Sequence, residues 1–180
     1  MTDNVIERLI EEYGVYDHFQ GYKLLPVWQK TSPEAREQII ELWKRNRVLP
    51  TRMDPEERAK QVIFMAIGPE NNLVGVNTAY INDLNHIGIK DAPLDRFYFF
   101  RMFIEPRDRK VELARKMVVS AHKYLEDFPC PDKPKGVILV AENSKLAGRA
   151  VQKGFQKIGW NPDGTDQRGN IIMRHDFTAK

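Results

Sequence analysis

Two spacings of apolar residues alternate along this chain, and their alternation sets the elements it predicts. Val5, Ile6, Leu9 and Ile10 recur at helical spacing behind the cap cluster Thr2-Asp3-Asn4, so an extra N-terminal helix is expected over 4–13. Tyr22–Trp28 reads as a strand, and Pro26 inside it argues for a sheet edge. Thr31 or Ser32 caps a helix with Pro33 in its first turn and Ala35, Ile39, Leu42 and Trp43 as its buried stripe. A connection with a short helix at Pro55–Lys60 leads to Gln61–Ile67 and Leu73–Ile81, a hairpin about Gly68-Pro69-Glu70-Asn71-Asn72. The polar stretch Asn82–Leu94 then reads as a loop able to border a substrate site.

The pattern is densest at Asp95–Leu125. Arg96–Ile104 is an unbroken run of aromatic and aliphatic residues, as expected of a strand buried on both faces, and Pro106 ends it. Helical spacing resumes at once with Ala114, Met117, Val118, Ala121, Tyr124 and Leu125. Glu126–Lys135 is a connector, Gly136–Val140 a second buried strand, and Asn143 the cap of a helix through Ala147–Lys153 that Gly154 stops. Phe155–Trp160 and Asn170–Phe177 form a closing hairpin. Together these predict a mixed α/β sheet covered by helices, with residues 1–180 in one domain.

Charge changes this picture at one place. The chain carries a formal net charge of +3. Between Pro106 and Met117 it sets five cations (Arg107, Arg109, Lys110, Arg115, Lys116) against two anions (Asp108, Glu112), so its whole surplus can be assigned to one strand-to-helix junction. A helix start has unbonded amides and the positive end of a dipole, so an anion is the natural ligand there; the plainer alternative is a solvated basic turn.

Composition excludes more than it identifies. With 42% hydrophobic and 29% charged residues the chain is globular, and the N-terminus lacks the basic-then-apolar layout of a signal peptide, so a cytoplasmic protein with no membrane span is expected. Cys130 stands alone between prolines, with no base identifiable beside it. His18, His86, His122 and His175 show no metal-ligand spacing. The cluster Phe97-Tyr98-Phe99-Phe100 reads as core in preference to a base-stacking platform, because no alternating Lys or Arg accompanies it; a nucleic-acid partner is disfavoured.

Ile104-Glu105-Pro106 followed by Arg109-Lys110-Val111-Glu112-Leu113-Ala114 resembles the strand-end and pyrophosphate loop of the Gcn5-related N-acetyltransferase (GNAT) superfamily. Asn143 with Gly154-Phe155 resembles its later signature, and GFQKIGW with IIMRHDF its last two strands. The resemblance covers roughly 22–177. It implies a mixed, mostly antiparallel sheet of six to seven strands, and acetyl-CoA as co-substrate where two parallel strands splay. Met102, Phe103 and Ile104 would then face pantetheine and thioester. Arg109, Lys110, Val111, Leu113 and Ala114 would meet the pyrophosphate, with Arg115 and Asn143 also on the cofactor.

Three positions depart from the family pattern. Lys110 and Glu112 stand where it has glycines, and Ala150 stands where many members have a tyrosine that protonates the leaving thiolate. A carboxylate about 4 Å from a phosphate charge opposes binding by roughly 1 kcal/mol in water and about 4 kcal/mol at an effective dielectric of 20. Candidates for the base are Glu105 and Tyr98, with Asp83, His86 and Asp95 in segments that border the acceptor. The resemblance thus implies direct acetyl transfer to an amine, on a small molecule or a protein, with no acyl-enzyme. The alternative is an inactive binding or regulatory protein of the same fold. Homodimerisation is compatible with either.

Overall fold

A computed structural model describes residues 4–49, 53–90, 93–142 and 148–178. Their order is α1 (Val5–Tyr13), β1 (Asp17–Phe19), β2 (Tyr22–Pro26), α2 (Pro33–Asn46), α3 (Pro55–Ala59), β3 (Val62–Ile67), β4 (Leu73–Asn82), β5 (Phe97–Ile104), α4 (Val111–Asp127), β6 (Gly136–Ala141), α5 (Arg149–Gln156), β7 (Asn161–Thr165) and β8 (Ile171–Asp176). Short 3-10 turns at Leu84–Ile87 and Pro106–Asp108 flank β5. The strands form one sheet in the order β1-β2-β3-β4-β5-β6-β8-β7. β5 and β6 pair in parallel; β1 to β4 and β6 to β8 are joined by antiparallel pairings.

Among the described residues the sheet has eight strands, against the six to seven expected. The additional β1 is three residues long and carries Asp17 and His18, so no run of apolar residues announces it. It also corrects the edge assignment of β2, which lies inside the sheet. Pro26 is tolerated because β1 pairs only with Tyr22–Leu24, leaving the proline partnered on one side by Phe64.

The chain divides into two compact units, residues 1–79 with 102–121 and residues 80–101 with 122–180. In the first, the buried faces of α1 and α2 and the strands β2 to β4 contribute Leu9, Leu25, Ile39, Trp43, Met65 and Val76 to one core. The helix starts follow their caps: Asn4 Oδ1 accepts from the Ile6 amide, Ser32 rather than Thr31 caps α2, and Asp54 caps α3. Gly75 on β4 is required by close approach, since a Cβ there would lie 2.8 Å from the Phe103 carbonyl oxygen and 3.3 Å from Ile104 Cα. In α4 the buried stripe is Leu113, Met117, Val118, Ala121 and Leu125. Ala114 and Tyr124, expected on that stripe, are only partly covered, a shift of one position around the helix.

The second unit has a core of Leu84, Phe97, Phe99, Ile138 and Ile172. A further aromatic group surrounds the fully buried Trp160, with Phe155 at 5.8 Å, Phe100 at 6.2 Å and His122 at 6.5 Å between ring centroids. Here the predicted hairpin is displaced. Gly154 does not stop its helix; α5 runs to Gln156 and the chain turns at Gly159, whose φ of +84° suits glycine. Phe155 is therefore helical, and β7 is formed by the polar Asn161–Thr165. Pro162 is admissible there because β7 is the last strand of the sheet.

Candidate functional site

β5 changes character along its length. Phe97–Phe100 are buried, whereas Arg101 is exposed and Met102 and Phe103 are half-buried before Ile104 is covered again. The expectation of burial on both faces therefore fails for the last half, which carries the residues expected to meet a cofactor. Within the second unit the strand also leaves its neighbour: the register between β5 and β6 consists of Tyr98↔Val137 and Phe99↔Ile138, while β6 continues paired to β8 as far as Ala141↔Ile171. Two parallel strands thus part beyond Phe99.

The turn after β5, in the first unit, is held by side chains. Glu105 is buried, and its Oε1 accepts from Arg45 Nε at 2.7 Å and Asn46 Nδ2 at 3.0 Å; Oε2 lies 3.5 Å from Arg107 Nε. Arg45 also donates to the Leu73 carbonyl at 2.7 Å, and the Glu105 amide donates to the Val74 carbonyl at 2.8 Å. Asp108 accepts from the Tyr22 hydroxyl at 3.0 Å and lies 3.3 Å from Arg107 Nε. The turn is thereby fastened to the C-terminus of α2 and to β2 and β4. Burial alone would raise the pKa of Glu105, but the Arg45 and Asn46 hydrogen bonds and the Arg45 and Arg107 charges outweigh it and hold the carboxyl below its ordinary value. Such a group is a weak proton acceptor at neutral pH.

Most of the junction's positive charge is engaged within the first unit. Arg109 Nε donates to the Ile104 carbonyl at 2.8 Å and its guanidinium lies 5.7 Å from the Phe103 ring centroid. Lys110 Nζ sits 5.1 Å from the centre of the Tyr22 ring, and Lys116 pairs with Asp17 at 2.8 Å. Arg107 faces Glu105 and Asp108, as above. Among the described residues Arg115 forms no ion pair. The helix begins at Val111, with Ala114 donating to the Lys110 carbonyl at 3.0 Å, so the amides of Val111, Glu112 and Leu113 lack intrahelical acceptors by the geometry of a helix start. Val111 and Glu112 are exposed and Leu113 is buried. Glu112 accordingly stands as the anion of the first turn.

The other candidates lie in the second unit or outside the described residues. Tyr98 is fully buried; burial first, and then a hydrogen bond with Cys130, push its hydroxyl well above the ordinary tyrosine range. Asn143 lies outside the described residues. Ala150 is exposed in the first turn of α5, whose N-cap Gly148 supplies no side chain.

A constellation that sequence reasoning missed lies where β5 and β6 part. Tyr80, at the end of β4, stacks on Phe99 at 5.3 Å with an interplanar angle of 17°. The His86 ring stands edge-on to both, 5.5 Å from Tyr80 and 5.6 Å from Phe99, and the Tyr80 hydroxyl is 3.1 Å from His86 Nε2. Arg101 Nη2 is 3.9 Å from Glu142 Oε1 just beyond β6. Burial raises the Tyr80 pKa against the opposing charge of Arg101. His86 and the loop were legible; Tyr80, hidden in a strand run, carried no signal. Among the described residues no group of three or more His, Cys, Asp or Glu could hold a metal ion, and no helix is long and apolar enough to cross a membrane.

A mostly antiparallel sheet with one parallel pair, flanked by helices, is the GNAT fold. A GNAT-family acetyltransferase from Listeria monocytogenes superposes with a TM-score of 0.60 at 14% identity, covering 89% of this chain and 99% of its own. One from Streptococcus pneumoniae gives 0.59 at 11%, covering 87% and 99%. Arabidopsis thaliana NAA60, solved in complex with acetyl-CoA, gives 0.55 at 13%, covering 86% and 98%. No protein-family model and no curated protein matches the sequence, so the likeness is one of fold.

Proposed function

We propose that this chain transfers an acetyl group from acetyl-CoA directly to an amine acceptor. The observation that carries the reading is the strand that loses burial at Arg101–Phe103 and hands over, through a braced turn, to a helix whose first amides have no intrahelical acceptors. In this reading Met102, Phe103 and Ile104 lie along the pantetheine and thioester. The amides of Val111–Leu113 hold the pyrophosphate, with Arg109 and Ala114 shaping the turn and Lys110 and Arg115 supplying charge at its rim. Asn143 belongs to the same reading. That NAA60 was solved both with acetyl-CoA and with a bisubstrate analogue supports the choice of co-substrate.

In such a site this chain's own residues hold the phosphate charge with backbone dipoles at a helix start, which cost no reorganisation when the ligand arrives. A thiolate leaves acceptably near neutral pH because thiol pKa values lie near 8.5, so Ala150 in place of an acid lowers the rate without forbidding the reaction. The second reading, an inactive binding protein of this fold, is favoured by the engagement of Arg107, Arg109, Lys110 and Lys116 within the protein. Calorimetric titration with acetyl-CoA tests the first: a Kd below about a millimolar is expected, and weaker binding overturns it. Tight binding without acetyl transfer to any amine would establish the second reading instead.

A further inference from the structure

We infer that the stacked imidazoles of His122 and His175 form an acid-operated latch, which holds the end of β8 and the α5–β7 turn against α4 and releases them when both rings take a proton. All of its parts lie in the second unit, and it does not depend on the acetyl-transfer reading.

His122 stands near the end of α4 and His175 on β8, with ring centroids 4.1 Å apart and an interplanar angle of 9°. Trp160, fully buried after α5, closes the pair from a third side, 6.5 Å from His122 and 5.9 Å from His175. His175 also reaches that turn, where its Nδ1 donates to the Gly159 carbonyl at 2.9 Å. A Cβ on Gly159 would lie 3.0 Å from the same nitrogen, so the turn fits closely around the ring. One stack thus ties a helix, a turn and a strand together. Beside it Glu126, one helical turn after His122, accepts from the Thr178 amide at 2.8 Å and the Thr178 hydroxyl at 2.6 Å. That clip holds the chain after β8 to the same helix.

Charge decides how the stack answers acid. A proton on one ring repels a proton on the other across 4.1 Å, with little water between them to screen it. A charged imidazole carries N–H on both nitrogens, and among the described residues the buried His122 Nδ1 has no hydrogen-bond partner; nor has the buried Trp160 Nε1 beside it. The groups that act on His122 are His175 and Glu126, while the α5–β7 turn presents an indole and a carbonyl to the pair. Hydrogen bonds from Thr178 hold the Glu126 carboxyl below its ordinary value, so the clip keeps its charge while the rings titrate. Burial, then the charge of His175, lower the pKa of His122 from 6.5 to about 4 in the closed stack. Between those values the open form binds the extra proton, and the latch gives way as pH falls. The β6–β8 ladder continues from His175 to Ala141↔Ile171, so the opening is confined to the end of β8 and the turn.

The test is amide hydrogen exchange on the full chain between about pH 7.5 and 4, with each rate corrected for the direct chemical effect of pH. The reporters are the amides of Gly159, Trp160, Phe177 and Thr178, each hydrogen-bonded while the latch is closed. Their protection is expected to fall about tenfold per pH unit below about 6.5, the slope of one extra proton in the open form. It should also be nearly independent of low urea concentrations, unlike that of β3, because a local opening exposes little surface. His122→Phe keeps a ring without a titrating nitrogen, and His122→Gln removes the proton with a smaller side chain; each should abolish the slope. A flat wild-type profile overturns the inference, as does a slope that survives in either variant. Urea dependence as steep as that of β3 overturns it too, since the four amides would then report global unfolding. Should neither variant fold, the wild-type slope and its urea dependence decide the matter alone.

Discussion

The turn after β5 and the aromatic cluster at the end of β4 are built on opposite plans. In the turn, a buried carboxylate gathers Arg45, Asn46 and Arg107, and Asp108 and Tyr22 extend the network, so the backbone at 105–110 is fixed from several sides. In the cluster, one hydrogen bond and three ring contacts hold Tyr80, His86 and Phe99, and the imidazole faces solvent. Under the acetyl-transfer proposal, a turn that presents amides to an anion gains from being fixed beforehand, because no ordering remains to be done on binding. The turn from Pro106 to Ala114 holds no glycine, and side chains brace it instead.

Glu105→Ala should break that contrast most severely. It strands Arg45 and Asn46 and is expected to cost about 3 kcal/mol in denaturant unfolding, the lower end for breaking a buried ion pair because Arg45 is itself partly exposed. Acetyl-CoA affinity should fall with it, whereas His86→Ala should leave stability within about 0.5 kcal/mol. Gly75→Ala comes next. Its Cβ meets backbone, which cannot rotate away, so a loss of about 2 kcal/mol is expected in the same measurement.

The pH dependence of stability separates the two units. In the second, burial and the neighbouring His175, stacked 4.1 Å away, lower the pKa of His122 from 6.5 to about 4. Between those values the unfolded chain binds the extra proton, so this contribution is complete above about pH 6.5 and is lost as pH falls toward 4. With discounting for partial exposure it is on the order of 1–2 kcal/mol, a few degrees in Tm for a chain of this length. His122→Gln should flatten that slope, and an unchanged Tm profile would refute the assignment. In the first unit the depressed Glu105 contributes stability that is present above its unfolded pKa near 4.5 and is lost below it. Glu105→Gln should leave the upper slope intact and remove the lower one.

The smallest effect sharpens the comparison at the helix start. Glu112 is exposed, so Glu112→Gln should tighten acetyl-CoA by no more than a few-fold, and more at low salt than at high. Unchanged affinity at both salt concentrations would show that its carboxylate faces away from the phosphate.

Much of the layout was legible because local patterns encode it. Amphipathic spacing and caps placed α1, α2 and α4, and Pro106 marked the end of β5. Elements set by partners rather than by their own residues were not legible. β1 is too short and polar to announce itself, and β7 forms from Asn161–Thr165 because β8 offers it a ladder. Gly154 stayed helical because a glycine can occupy a helix interior at a cost of about 1 kcal/mol.

The chain's own pattern determined the mixed sheet, the strand-turn-helix junction and the charge gathered there. Tertiary structure alone decided what those charges do. A cation's effect depends on which carboxylate, carbonyl or ring lies within a few ångströms, and Arg45, Tyr22 and Asp17 reach Glu105, Asp108 and Lys116 of the junction from 60, 86 and 99 residues away along the chain only once the sheet has formed.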